Sequence, residues 1–163
     1  ATSAFSRQDF TNGAHEDLIG DIASYSNYYN WYSATAGNGK QETGSGVTVA
    51  GDICPAGWHL PYGGSGDENN GKGNTSGGFY YLNNLIGGDS NAWRSFPNNF
   101  VYSGYWYGSS ANSRGNNGFY WSSTASGTVG AYYLYFSSVS VFPGTDNYGK
   151  SNGYSVRCVA PVQ

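Results

Sequence analysis

Charge is scarce in this sequence. Only 10% of its 163 residues are Asp, Glu, Lys or Arg, against about a quarter in an ordinary globular domain. The seven Lys and Arg are scattered, and the net charge is -3. With no basic stripe to neutralise phosphates, nucleic acid is excluded as a partner. No apolar run nears the roughly 20 residues of a membrane-spanning helix, so we expect no membrane contact by this portion of chain. Methionine is absent and Ala1 opens no signal-peptide pattern, which suggests a processed or excised part of a longer protein.

What is abundant argues for folding. Aromatic residues make up 18%, including 16 Tyr, and there are 26 Gly; disordered chains are rich in charge and poor in aromatics. The length suits a single domain over residues 1–163, enough to bury roughly two thirds of the unfolded chain's surface. Two cysteines, Cys54 and Cys158, leave two readings open. They are either a long-range disulfide, which fits a low-Lys, Tyr/Ser/Asn/Gly-rich extracellular surface, or two unrelated reduced thiols, as in a cytosolic protein. A bridge would close a loop of about 100 residues and contribute on the order of 4–5 kcal/mol.

Along the chain, residues 1–26 read as a polar lead-in, with residues 14–22 helical. Residues 27–34 are aromatic-dense and read as a strand or extended segment packing Tyr29 and Trp31. Residues 35–45 are loop and 47–50 a short β-branched stretch. Residues 51–61 form a turn bracketed by prolines, which holds Cys54 and Leu60 extended. Residues 62–78 read as a Gly/Asn-rich loop too polar to pack. Phe79, Leu82, Leu85 and Ile86 fall at helical spacing, and Gly87–Gly88 stop that helix. From Asn98 onward the pattern is β, with strands expected at 100–102, 118–124, 131–136 and 154–160.

Five segments occur in order: YNWYSATAG (29–37), ICPAGWHLP (53–61), FYWSSTASG (119–127), AYYLYF (131–136) and KSNGYSVRCV (150–159). This series resembles the Fibrobacter succinogenes major paralogous domain family and the related variable proteins of diversity-generating retroelements. Both belong to the C-type lectin superfamily, in the branch that contains the formylglycine-generating enzymes. The resemblance implies an α+β domain of C-type lectin fold: a twisted antiparallel sheet, one or two helices, and long loops. Trp58, Trp106 and Trp121 would be scaffold, and residues 98–157 a variable region displaying the binding face.

In such retroelement proteins adenine-directed mutagenesis diversifies one face. Starting from AAC or AAT codons it reaches most residue types but never Lys, Glu, Gln, Met or Trp. Between Asn98 and Gly149 this chain has no Lys, Glu, Gln or Met, and its only Trp there are Trp106 and Trp121. A low-charge β domain would share part of that bias, which extends to residues 62–78. Tyr, Ser, Gly and Asn are also the residues of antibody paratopes, where rigid aromatic area joins adaptable hydrogen bonding. The expected contact residues are Tyr107, Asn112, Ser113, Asn116, Asn117 and Phe119 before the WSST motif. After it come Ser126, Thr128, Val129, Tyr132, Ser137, Ser138, Asp146, Asn147 and Tyr148. They interleave with presumed anchors at Tyr120, Trp121, Leu134 and Phe136.

Catalytic constellations are weak. His15 and His59 are the only histidines, and His59, between a Trp and Leu–Pro, matches a structural position of the family. Oxidase chemistry needs a reactive C-terminal thiol, and Cys158 is the sole one. Residues 66–73 mimic a phosphate loop but have Gly73 where a Ser or Thr must hold Mg²⁺. Asp67, Glu68, Asn69 and Asn70, or Asp52, could hold a structural Ca²⁺, though the EF-hand spacing fails. The Glu-Pro-Asn and Trp-Asn-Asp motifs of Ca²⁺-dependent sugar binding are missing. Asn74-Thr75-Ser76 fits a glycosylation acceptor in a eukaryotic host.

The expectation is therefore a non-enzymatic, cofactor-free, monomeric ligand-binding domain, secreted or on the cell surface, recognising a protein or cell-surface ligand. The alternative is a carbohydrate-binding module that uses Tyr107 and Tyr132 as stacking platforms. An oxidase and a self-assembling surface-layer protein are the remaining alternatives.

Overall fold

A computed structural model of the chain describes residues 27–41, 44–66 and 71–160. The expected helix at 14–22 and the lead-in over 1–26 lie outside these. The described part is α+β: three short helices, a four-stranded antiparallel sheet and a two-stranded hairpin.

The segment expected to be extended over residues 27–34 divides in two. Tyr29 is extended and pairs with Tyr154, but α1 (Trp31–Ala34) follows at once. Asn30 starts it by accepting a hydrogen bond from the Ser33 N–H at 2.8 Å, the ordinary role of Asn at a helix start. The single turn puts Trp31 and Ala34, three residues apart, on one buried face. A 3-10 turn (Asn38–Gln41) leads to β1 (Ser45–Thr48).

Helix α2 (Phe79–Leu85) forms where the spacing placed it, ending at Gly87 and Gly88, both at positive φ. Phe79 is buried, and Leu82 and Ile86 pack beside it. Leu85, expected on that face, is 64% exposed. It stands six residues after Phe79, which a 3.6-residue period turns well away. Helix α3 (Ser90–Arg94) was not expected; Asp89 caps it by accepting from the Ala92 N–H, and it buries Trp93.

The hairpin is β2 (Tyr105–Tyr107) and β3 (Ser110–Asn112); the sheet's other strands are β4 (Gly118–Ser126), β5 (Gly130–Phe136) and β6 (Val141–Gly149). Sheet order is β1-β4-β5-β6. Residues 100–102, expected as a strand, are irregular, and residues 154–160 give isolated bridges at Tyr154, Ser155 and Val159 in place of a continuous strand. Strand β6 escaped notice because Pro143, Gly144, Asp146 and Asn147 are turn-forming residues. Its register with β5 slips by two residues between the pairs Tyr133–Asp146 and Leu134–Pro143.

Strand β4 is buried along nearly its whole length, because each face of the sheet carries its own core. Trp121 and Ala125 of β4 and Ala131 and Tyr133 of β5 pack with Trp31, Leu60 and Tyr154 on one face. Tyr120, Leu134 and Phe136 pack with Phe79, Trp93 and Phe100 on the other. Alternation along two strands thus feeds two cores. The expected anchors Tyr120, Trp121, Leu134 and Phe136 are all buried.

The Gly-rich loop after Tyr62, expected to be too polar to pack, lies directly on the second face. Gly63, Gly64, Gly71, Gly73, Gly77 and Gly78 are buried. Without side chains they bring backbone against the sheet: Gly63 N–H donates to Thr124 Oγ1 at 3.0 Å and Gly64 N–H to Gly144 O at 2.7 Å. Residues 67–70 are outside the described part.

Cys54 and Cys158 are joined as a disulfide, Cα–Cα 5.7 Å, which settles the open question about these two thiols. Beside it, the Asp52 carboxylate accepts from the Cys54 and Leu60 N–H groups at 2.9 and 2.8 Å. Trp106 and Trp121 are buried, whereas Trp58 is 51% exposed. Gly57, at φ +82°, follows the Pro55 turn and carries Trp58 outward.

Candidate ligand-binding face

Cross-strand register decides which side chains share a face. Tyr135 opposes Phe142, Tyr133 opposes Asp146 and Ala131 opposes Tyr148. In β4, Phe119 opposes Tyr135 and Trp121 opposes Tyr133. All of these belong to the face that carries Trp31 and Tyr154. The inner part is roofed by those two residues, and toward β6 it opens to solvent. There Phe142 and Tyr148 are about half exposed, Asp146 is exposed and Tyr135 is intermediate.

The rings form a chain across strands. Tyr105 meets Phe119 at 4.8 Å between centroids, Phe119 meets Tyr135 at 5.2 Å, and Tyr135 meets Phe142 at 5.7 Å. Tyr105 extends the surface onto the hairpin, where Asn112 opposes it and Ser110 opposes Tyr107. Tyr107, two residues on, shares its side while Trp106 between them is buried. The result is an aromatic strip from the hairpin to the sheet's edge, flanked by small polar groups.

Among the described residues its carboxylate is Asp146, held at two points. The Tyr133 hydroxyl donates to Asp146 Oδ2 at 2.9 Å, and Asn147 N–H donates to Oδ1 at 2.9 Å. Burial and that carboxylate raise the Tyr133 pKa, and burial raises that of Tyr154; the nearby Tyr148 phenol pushes both further. Both phenols stay neutral, and Tyr133 keeps the proton it donates to Asp146.

Of the expected contact residues, the face gathers Tyr107, Asn112, Phe119, Asp146 and Tyr148. Phe119 is 8% exposed and so forms the floor. Ser113, Asn116 and Asn117 lie in the β3–β4 turn, and Ser138 in the β5–β6 turn, at the strip's end of the sheet. Ser126 closes β4, and Thr128 and Val129 sit on the β4–β5 turn, at the other end of the sheet, where Gly130 pairs with Gly149 beside Tyr148. Three expectations of exposure are corrected: Phe119 is the buried floor just described, and Tyr132 and Ser137 are buried as well. Tyr132 is 6% exposed, because in β5 it points opposite to Tyr133, under Gly63. Ser137 is 9% exposed, its Oγ accepting from the Val139 and Ser140 N–H groups inside the turn. Asn147 is exposed but faces away, opposite Tyr132.

Missed from sequence were Tyr105, Tyr133, Tyr135 and Phe142. The alternation in AYYLYF separates Tyr133 and Tyr135 from Tyr132, but it leaves open which set looks outward.

Other chemistry finds little footing. His59 stacks on Tyr62 at 4.6 Å with Nδ1 2.7 Å from Leu60 O; His15 is outside the described residues. Both Asp52 oxygens are taken by backbone donors. Among the described residues no three His, Cys, Asp or Glu side chains gather for a metal, and no helix is long and apolar enough to cross a membrane. Asp67, Glu68, Asn69 and Asn70 lie outside that set. The disulfide is a bond typical of oxidising compartments. Comparison with family models, curated proteins and solved structures yields no match for this chain.

Proposed function

We propose that the chain is a secreted or cell-surface ligand-binding domain of C-type lectin fold. It acts without catalysis, in the manner of the retroelement variable proteins it resembles. The half-open aromatic strip from Tyr107 to Tyr148 carries the reading. Rigid rings set on strands lose little rotamer freedom on binding, and flanking Ser and Asn adapt to a partner. The non-enzymatic part is supported by cysteine use: the disulfide consumes both thiols of the chain, leaving none for oxidase chemistry.

Sequencing the locus from several isolates tests the proposal. Substitutions should concentrate within residues 98–157 on exposed or half-buried positions such as Tyr107, Asn112 and Tyr148, trace to template adenines, and spare the buried Trp106, Trp121, Leu134 and Phe136. An invariant stretch, or changes spread evenly over buried and exposed positions, overturns diversification.

The half-exposed rings of Tyr107 and Tyr148 also favour a second reading, stacking against sugar rings. Tyr132, buried below Gly63, cannot serve it. Saturable binding to one glycan on an array, abolished by Tyr107→Ala, would select this reading.

A further inference from the structure

We infer that the strip binds a partner protein through a cationic side chain, an arginine or lysine seated against Asp146 between Tyr148 and the Tyr135–Phe142 pair. This rests on the ligand-binding reading above and names the partner's chemistry.

Asp146 is exposed, and its two protein hydrogen bonds, from Tyr133 and from Asn147, leave lone pairs of both oxygens directed at solvent. Around it the surface is aromatic: Tyr135 and Phe142 lie 5.7 Å apart at 38°, and Tyr148 stands two positions along the strand on the same face. Ring faces and a carboxylate are both negative in potential, so the site discriminates by charge. A cation gains from each, whereas an anion is repelled by all.

The same chain shows how it satisfies its own cations. Arg94, Arg114 and Arg157 lie over Tyr102, Tyr28 and Phe100 at 4.1, 5.3 and 4.9 Å, and Lys150 is buried over Trp31 at 4.7 Å. Each of these four is committed to its own ring, and Asp146 stands among rings with a charge of the opposite sign. Its carboxylate and those rings together offer a seat to a partner's cation.

The test titrates the intact domain with Nα-acetyl-arginine N-methylamide, its lysine counterpart and its neutral citrulline counterpart, followed by NMR. The two cations should shift resonances of Tyr135, Asp146 and Tyr148 and saturate in the range of about 1–30 mM. Citrulline should bind at least about tenfold more weakly. Asp146→Asn, which keeps an acceptor for Tyr133, should weaken arginine binding about tenfold, and Phe142→Leu several-fold. Equal binding of citrulline and arginine, absence of binding by either cation, or an unchanged affinity in Asp146→Asn overturns the inference. Should a natural ligand bind this face with Asp146→Asn silent, the cation is refuted and the ligand-binding proposal stands. A ligand that maps elsewhere on the domain removes both.

Discussion

Tyr154 lies flat on Trp121, ring centroids 4.2 Å apart and planes at 27°, while the Trp121 indole donates to Tyr29 O at 2.8 Å. Three distant parts of the chain meet there: residue 29 before α1, the middle of β4, and the segment after β6. Tyr154 also touches Phe119, Tyr133 and Tyr105, so it links the roofed core to the open strip.

Tyr154→Ala should therefore be among the most damaging single changes, costing about 3–5 kcal/mol through lost burial and an unfilled cavity. Tyr154→Phe keeps the ring and should cost under about 1 kcal/mol. Denaturant midpoints at constant slope measure both.

Alkaline pH should unfold the domain by a defined route. Burial raises the pKa of Tyr154, and burial with the Asp146 bond raises that of Tyr133, both from an unfolded value of 10.0. A phenol shifted upward keeps its proton in the folded state where the unfolded chain has lost it. The unfolded state then binds fewer protons, so stability is full below pH 10 and falls as pH rises above it. For Tyr154 the slope approaches about 1.4 kcal/mol per pH unit. Unfolding midpoints measured from pH 8.5 to 11, about one unit either side of the unfolded phenol pKa, should fall, and less steeply in Tyr154→Phe.

Reduction should also destabilise. The Cys54–Cys158 bridge spans 104 residues, and by chain entropy its loss costs about 4–5 kcal/mol. Cys54→Ser with Cys158→Ser should lower the melting temperature by more than any single change on the exposed strip, as differential scanning calorimetry would show.

How much of this was legible in the sequence follows from which signals are local. The spacing of Phe79, Leu82 and Ile86 with Gly87 behind them is local, and α2 stands where they placed it. Strands β4 and β5 announced themselves by their aromatic-rich runs, Phe119 to Trp121 and Tyr132 to Phe136. Strand β6 did not, since Pro143 and Gly144 are turn residues, and Gly144 keeps a turn-like φ of +79° within the slip against β5. Facing was equally hidden. Period-two alternation separates Tyr132 from Tyr133, but only the positions of Gly63 and β6 decide which one solvent sees.

Gly63→Ala offers a test of the Gly-rich loop's packing. A Cβ there would collide with Tyr132 Cβ, fixed to its backbone, and with Ser122 Oγ, which donates to Tyr132 O. We expect a loss of about 1–3 kcal/mol from overpacking and increased amide exchange in the loop. Gly57→Ala, whose Cβ meets nothing within 4 Å, should show only the cost of its φ of +82°, about 1–2 kcal/mol, with no effect on loop exchange.

The register slip between β5 and β6 amounts to two residues, and two is the period of a strand. Shortening or lengthening that stretch by an even number therefore leaves Asp146 and Tyr148 looking outward from the same face. An odd change would turn both to the far side and present Asn147 in their place. Length variation in this strand is thus constrained by parity as well as by size, since Gly144 itself is held against Gly64 and Phe79.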